Sequence, residues 1–295
     1  MLYGTFAQRL AMEYDQLSDR LRQAGDYVMA NPLNTATRSL RSIAAEAALP
    51  PATFSRMARR LGYTSFELLR DEMRSRIDRQ IDSHSHSFAD RARRLQQDSS
   101  TGALDFFGAH RDACLANVQA LAAGVDHALL EWTVERLHRS RRVLLLGALG
   151  STGIVEHMSY MANFLTDNWH MAGRMGASVG SALTGLGPED SLVIVTKPPF
   201  ARKSILAANQ AKEQGVFLVV ITDSHTCPAL AKADAGLLVP TSSPHFFSSY
   251  VATLFLVETM IGMLAGRSGA EATARIAEVE RRNRKLEEAS DRHET

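Results

Sequence analysis

Cysteine is scarce: Cys114 and Cys227 are the only two in 295 residues. Neither has a neighbour at metal-ligand spacing, which argues against a disulfide scaffold and a cysteine-based metal module and fits reduced thiols in a cytoplasmic protein. No apolar run reaches the ~18 residues that a membrane span requires. The first residues, MLYGTFAQRLAMEYDQ, carry acids early and lack an apolar core, so a signal peptide is not expected. Lysine is absent before Lys197, and the formal net charge is only +1. The overall charge thus gives no sign of a nucleic-acid partner, and only its distribution can. His84 and His86 lie one residue apart with no third ligand nearby, so they read as solvated loop, and neither a metal nor a cofactor is expected.

The length suits two domains, each large enough to bury its own core. Residues 1–80 read as helix after helix. Leu17, Leu21 and Val28 keep a helical period, and Asn31-Pro32 interrupts it. A polar stretch over 81–103 reads as a linker. From residue 104 two helices come first, Leu104 to Ala123 and Asp126 to Arg139, the second capped by Asp126. Short apolar runs then alternate with helical patterns: Val143–Leu146, the weaker Trp169–Met171, Leu192–Val195, Phe217–Ile221 and Gly236–Val239. Such runs between helices imply a parallel five-stranded sheet covered on both faces. An apolar helix, Phe247 to Leu264, and a charged amphipathic helix, Glu271 to Glu288, close the chain. The expected architecture is therefore an all-α domain followed by an α/β domain.

In the first half the charge distribution is uneven. Between Arg38 and Arg60 stand five arginines against one acid, Glu46. Leu40–Leu49 reads as one short helix, Pro50-Pro51 forces a break, and Ala52–Leu61 reads as a second helix that stops at Gly62. Phe54, Met57 and Leu61 form the buried stripe of the second helix. The opposite face is expected to show Thr53, Ser55, Arg56, Arg59 and Arg60. Two short helices across a tight turn suit a helix-turn-helix, in which the start of the second helix meets base edges in the major groove. Thr53 and Arg56 are then the candidates for base readout, and Arg38, Arg41, Arg59 and Arg60 for phosphate contacts. Periodicity alone is equally compatible with a helical hairpin whose basic face is simply solvated.

The stretch Leu17 to Arg74, and within it ATFSRMARRLGYTSFELLR, resembles the N-terminal domain of RpiR (MurR/RpiR) family transcriptional regulators. One departure is Pro50, where the family usually has a serine capping the recognition helix. That removes a hydrogen bond worth ~1 kcal/mol but not the helix.

In the second half, Gly147-Ala148-Leu149-Gly150-Ser151-Thr152-Gly153 follows the first strand and feeds a helix. Backbone amides at that helix start, with the hydroxyls of Ser151 and Thr152, can hold a phosphate or carboxylate. The same glycines would also serve merely to pack a helix close to the sheet, and their spacing is not that of a dinucleotide fingerprint. The order of elements over Arg141 to Arg267 resembles the SIS (sugar isomerase) domain that RpiR regulators carry. On that resemblance Gly147 and Ser151 match the first loop, although Leu149 replaces a usual glycine. Ile205–Gly215 matches the helix after the second loop, and Val220–Asp223 the next strand end. Phosphosugar-binding SIS domains usually carry Ser-x-Ser-Gly-x-Thr in the second loop, whereas this chain has Thr196-Lys197-Pro198-Pro199-Phe200-Ala201-Arg202-Lys203-Ser204. The prolines offer no amides, and Lys197, Arg202 and Lys203 add three cations, so an acid held by side-chain charge becomes the expectation. These cations could equally face solvent or a partner subunit. Ser248 and Ser249, before the apolar helix, are expected to reach the same cleft together with Gly150. His245 in that loop is the weakest candidate.

Glu156, His157 and Glu258 are the groups available for isomerase chemistry, which needs a base pointing into the pocket. The altered second loop and the attached helix-turn-helix argue against an enzyme. A sugar-phosphate isomerase, or an interaction protein that has lost its ligand site, are the other readings. The resemblance implies a cytoplasmic regulator of carbohydrate-related genes that binds a double-stranded operator and senses a small anionic sugar derivative, a sugar phosphate or a sugar acid. It implies a homodimer or homotetramer, built through Phe247–Leu264 and Glu271–Glu288, with recognition helices ~34 Å apart.

Overall fold

The computed structural model describes residues 6–73, 87–100, 105–174 and 176–288. The chain divides into two compact units, 1–87 and 88–295. His84 and His86 lie outside the described residues.

The first unit is helical: α1 (Phe6–Glu13), α2 (Asp19–Ala30), α3 (Pro32–Thr37), α4 (Leu40–Glu46), α5 (Pro51–Arg60) and α6 (66–73). Its core gathers Phe6, Leu10, Val28, Ile43, Phe54, Met57, Leu61, Phe66, Leu69 and Met73. Phe54 sits edge-on between Tyr27 and Phe66, with ring centroids 5.9 Å away in each case. Ser39 caps α4 by accepting a hydrogen bond from Ser42 N–H at 3.2 Å. The corner between α4 and α5 is made by the main chain. Ala48 adopts φ +54°. Its N–H donates to Ala45 O at 3.2 Å, and Leu49 N–H donates to Ala44 O at 2.9 Å. This is the Schellman pairing that closes helices through a left-handed residue. α5 ends the same way at the expected Gly62, φ +83°, with Gly62 N–H on Arg59 O and Tyr63 N–H on Ala58 O, both at 3.0 Å.

The second unit begins with α7 (Phe88–Ser100), α8 (Phe106–Gly124) and α9 (His127–His138). Within 81–103, expected to be linker, the residues Phe88–Ser100 are therefore helical. α7 is easily overlooked because none of its side chains is fully buried, so no core-facing stripe marks it. Asp126 caps α9 as expected, accepting from Leu129 N–H at 3.0 Å.

The sheet follows: β1 (Val143–Gly147), β2 (Trp169–Met171), β3 (Ser191–Val195), β4 (Phe217–Thr222) and β5 (Ala235–Leu238), in the order β2-β1-β3-β4-β5, all parallel. The central strands β1, β3 and β4 are mostly Val, Leu and Ile because both faces are covered. Val143, Leu145, Val193, Val195, Val219 and Ile221 pack against α9, α10 (Thr152–Leu165) and α13 (Val251–Arg267). Leu144, Leu146, Leu192, Ile194, Leu218 and Val220 pack against α11 (Val179–Leu183) and α12 (Arg202–Glu213). α14 (Gly269–Lys285) completes the first face through Ala272. The apolar helix expected from Phe247 starts instead at Val251, because Ser249 N–H is engaged with Thr241 O at 3.0 Å and so is held outside the helix.

At the amino-terminal edge of the sheet the buried Asp190 accepts hydrogen bonds from Arg141 at 2.6 Å and 3.1 Å and from Gly187 N–H at 2.9 Å. Burial pushes its pKa up, but these bonds and the charges of Arg141 and Arg142 outweigh burial and hold it below the ordinary carboxylate value. No single described helix is long and apolar enough to cross a membrane.

A left-handed alanine costs ~1–2 kcal/mol, whereas glycine adopts that conformation freely at a smaller entropic cost in the unfolded chain. Ala48→Gly is therefore predicted to stabilise the first unit by ~0.5–1 kcal/mol, read as a higher denaturant midpoint with an unchanged slope.

Candidate functional site

Two groups of candidate residues occupy separate units. In the first unit α5 turns Arg56 and Arg59 to solvent and leaves Ser55 half-buried. Arg41, on α4, is also exposed. Among the described residues these three arginines have no ion-pair partner. Arg38 and Arg60 do: Arg38 meets Glu46 at 2.8 Å, and Arg60 meets Glu13 at 3.1 Å. Thr53 does not join the outer face. It is 1% exposed, because it lies one helical turn before Met57 and so shares the buried stripe of Phe54, Met57 and Leu61. It lines, with Arg56 and the start of α2 at Ser18–Leu21, a cavity of about 410 Å³.

In the second unit the loops after β1, β3 and β4, and the segment 239–250 after β5, meet at the carboxyl edge of the sheet, where ligands of open parallel sheets bind. Gly147 is required there: a Cβ would lie 2.4 Å from Ser151 O. Leu149 takes φ +54°, a left-handed conformation that favours glycine, and is 69% exposed. Ser151 is buried and shares a hydrogen bond of 3.0 Å with the Tyr250 hydroxyl. Gly150 packs under the same ring, since a Cβ there would meet Tyr250 Oη at 3.1 Å. Thr152 opens α10 and is partly exposed.

Lys197 is the centre of this edge. It is 6% exposed. Its Nζ donates to Thr253 Oγ1 at 2.8 Å and Ser249 O at 3.2 Å, and lies 3.7 Å from the centre of the Tyr250 ring. Burial pushes its pKa down to about 7, against the opposing pull of the Asp223 carboxylate. Ser249 is thus brought to the site through its carbonyl, and Ser248 stays half-buried in the loop. Arg202 and Lys203 do not join Lys197; they sit exposed on the first turn of α12, beyond the cis Pro198-Pro199 pair.

Three residues of this edge were not named as candidates from sequence. Asp223 accepts from Thr241 Oγ1 at 2.7 Å through Oδ2, while its Oδ1 is buried with no hydrogen-bond partner among the described residues. Tyr250 links Ser151 to Lys197, and burial raises its pKa first of all causes. Thr253 is the hydroxyl that accepts the hydrogen bond of the lysine. A polar residue directly before an apolar helix was the available signal for Tyr250. The buried hydroxyls of Ser204 and Thr222 also lack partners among the described residues.

The three groups considered for catalysis point elsewhere. Glu156 pairs with Arg174 at 2.7 Å, and His157 meets Glu258 at 3.5 Å, all of them substantially exposed.

This arrangement can be compared with known proteins. The family model described as SIS domain matches residues 136–263. These residues form a SIS domain. The sugar isomerase domain of an RpiR transcription factor from Sphaerobacter thermophilus is 24% identical, with a TM-score of 0.54 over 57% of this chain and 94% of that one. The Vibrio vulnificus NanR protein complexed with ManNAc-6P is 20% identical, with a TM-score of 0.53 over 96% of this chain and 99% of that one. Both likenesses are likenesses of fold. No curated protein matches the chain. In the SIS domain, the loops expected to bind a ligand are those that hold Ser151 and Lys197.

A buried lysine with a pKa of about 7 weakens the folded state wherever the unfolded chain still protonates it. The folded protein then binds fewer protons than the unfolded one between pH ~7 and ~10.4, so stability rises with pH across that window. Relative to Lys197→Met, the melting temperature of the natural protein is predicted to climb from pH ~7 to ~10 and to level off below pH ~6.

Proposed function

We propose that the chain is a DNA-binding transcriptional regulator of carbohydrate-related genes, whose SIS domain senses a small anionic sugar derivative. The observation that carries the reading is the α4–α5 corner: a main-chain turn presents Arg56 and Arg59 outward, and a SIS domain follows on the same chain. A short helix presented across a tight turn has the form of a recognition helix. Arg56, nearest its exposed start, serves base readout. Arg41 and Arg59 serve phosphates, and Arg38 and Arg60 can do so by leaving Glu46 and Glu13, since exposed ion pairs contribute little. Ser55 lies between them. The two similar solved proteins support the same reading, one being an RpiR transcription factor and the other a NanR protein bound to ManNAc-6P.

On the sensing side, an anion entering the carboxyl edge meets Lys197, the Ser151 and Tyr250 hydroxyls and the first turn of α10 with Thr152. Its charge raises the lysine pKa, so binding takes up a proton at slightly alkaline pH. Arg202, Lys203 and Ser248 stand at the rim. The exposed pairing of Glu156, His157 and Glu258 favours a sensor over an isomerase. Val251 and Phe255 leave apolar surface open on α13, which supports a homodimer or higher assembly through that helix. The protein is read as cytoplasmic.

Arg56→Ala is predicted to relax sequence preference by ~1–3 kcal/mol in a binding-site selection, whereas Arg59→Ala weakens all DNA alike and flattens the salt dependence. An Arg56→Ala protein with unaltered specificity would contradict the assignment of α5. For the effector, calorimetry at pH 8 in buffers of different ionisation heat, with whichever sugar phosphate or sugar acid raises the melting temperature, is predicted to show proton uptake. That uptake is absent in Lys197→Met.

A further inference from the structure

The helix that occupies the expected linker has an unexplained position. α7 is docked on the second unit by very little: none of its side chains is fully buried. Its first residue, Phe88, stacks on Phe247 of the segment before α13, ring centroids 4.6 Å apart and planes within 16°. Phe247 in turn lies against Gly150 of the first ligand loop, where a Cβ would come within 3.5 Å of its ring. One turn along α7, the Arg91 guanidinium lies 5.0 Å from the centre of the Phe88 ring. Arg93 turns the other way and pairs with Asp90 on the helix's own surface at 2.6 Å.

Arg91 thus lies beside the Phe88 ring, which is stacked on the segment next to the first ligand loop. Its Nε is buried and has no hydrogen-bond partner among the described residues. The charge it feels there is Asp223, and burial holds its pKa below the ordinary arginine value against that attraction. Asp223 Oδ1 is itself buried without a hydrogen-bond partner among the described residues. A buried donor atom on Arg91 and a buried acceptor atom on Asp223, of opposite charge and within electrostatic reach of each other, thus each keep a bonding position unfilled among the described residues. Leaving such groups unmade is costly, so each gains when a third group bridges or replaces the contact.

We propose that α7 is part of the effector site, with Arg91 supplying an anion-binding cation from outside the SIS segment and Asp223 acting as its stand-in anion until the effector arrives. The inference rests on the reading of this edge as the effector site. The chemistry that fits is a carboxylate or phosphate able to reach both Arg91 and Lys197, two cations from different elements against one resident carboxylate. A small acid with one charged end and neutral hydroxyls uses the Ser151 and Tyr250 hydroxyls for the rest. Because α7 begins where the first unit ends along the chain, the helix that contributes the cation is also the first element through which occupancy of the sheet edge acts toward the first unit. An element with so little burial opens at low free energy, which suits that task.

The test uses the full-length protein and three variants, Arg91→Gln, Asp223→Asn and Lys197→Met. Each is titrated with inorganic phosphate and, separately, with a hexonate, following the melting temperature, and amide exchange over 88–100 is measured without added anion. Arg91→Gln is expected to weaken the anion that fits by about tenfold, the size of one charge-assisted hydrogen bond. Asp223→Asn is expected to strengthen it, because the competing carboxylate is gone, and to speed exchange of α7. The two titrations show which anion chemistry the site takes. If Lys197→Met loses binding while Arg91→Gln binds like the natural protein, the effector site stands and the role of α7 is overturned. If neither anion stabilises any form, both the site and the role of α7 fail. Exchange over α7 that is the same in the natural protein, Arg91→Gln and Asp223→Asn overturns the anchoring of the helix by this pair.

Discussion

A parallel sheet buried on both faces gives a chain only two places to put polar chemistry: the edges where its strands start and where they end. Here the two edges are used differently. Where the strands begin, Asp190 is enclosed by Arg141, Arg142 and Gly187, and its charge is matched. Where they end, Lys197 is buried against the Thr253 hydroxyl, the Ser249 carbonyl and the Tyr250 ring, and among the described residues Asp223, Ser204 and Thr222 keep unfilled hydrogen-bonding positions. Unfilled positions in a desolvated place are a cost that folding alone does not recover. At that edge stand the glycine held under Tyr250 and the lysine whose pKa burial lowers to about 7.

The second loop is where the chain departs most from the pattern that its sequence resembles. Prolines remove amides that a phosphate cradle would use, and the lysine beside them moves inward rather than outward. Of the three cations that stand in that loop, only Lys197 reaches the centre. It does so because its position continues the inward-facing alternation of Val193 and Val195, whereas Arg202 and Lys203 already belong to the first turn of a helix whose buried side is Ser204, Ala207 and Ala208.

Strands and most helices were legible from period and punctuation, because each buries a continuous apolar face. Leu192–Val195 and Phe217–Ile221 admit little else, and Gly62 ends α5 as its φ requires. What escaped was of another kind. Thr53 belongs to the buried stripe by its spacing from Met57, but a threonine at the start of a helix suggests an outward polar group. α7 has almost no buried face to betray it. Tyr250 was counted within the helix that it precedes. Site geometry depends on contacts between residues far apart along the chain, such as Ser151 with Tyr250 and Lys197 with Thr253, and local pattern carries no record of those.

The corner between α4 and α5 is closed by carbonyls and amides alone, with Ala48 as its hinge residue. No side chain on the outer surface of α5 takes part in it. Ser55, Arg56 and Arg59 are therefore free to be exchanged during descent without altering the angle at which the helix is displayed. A lineage can revise the side chains on this surface while inheriting the posture unchanged.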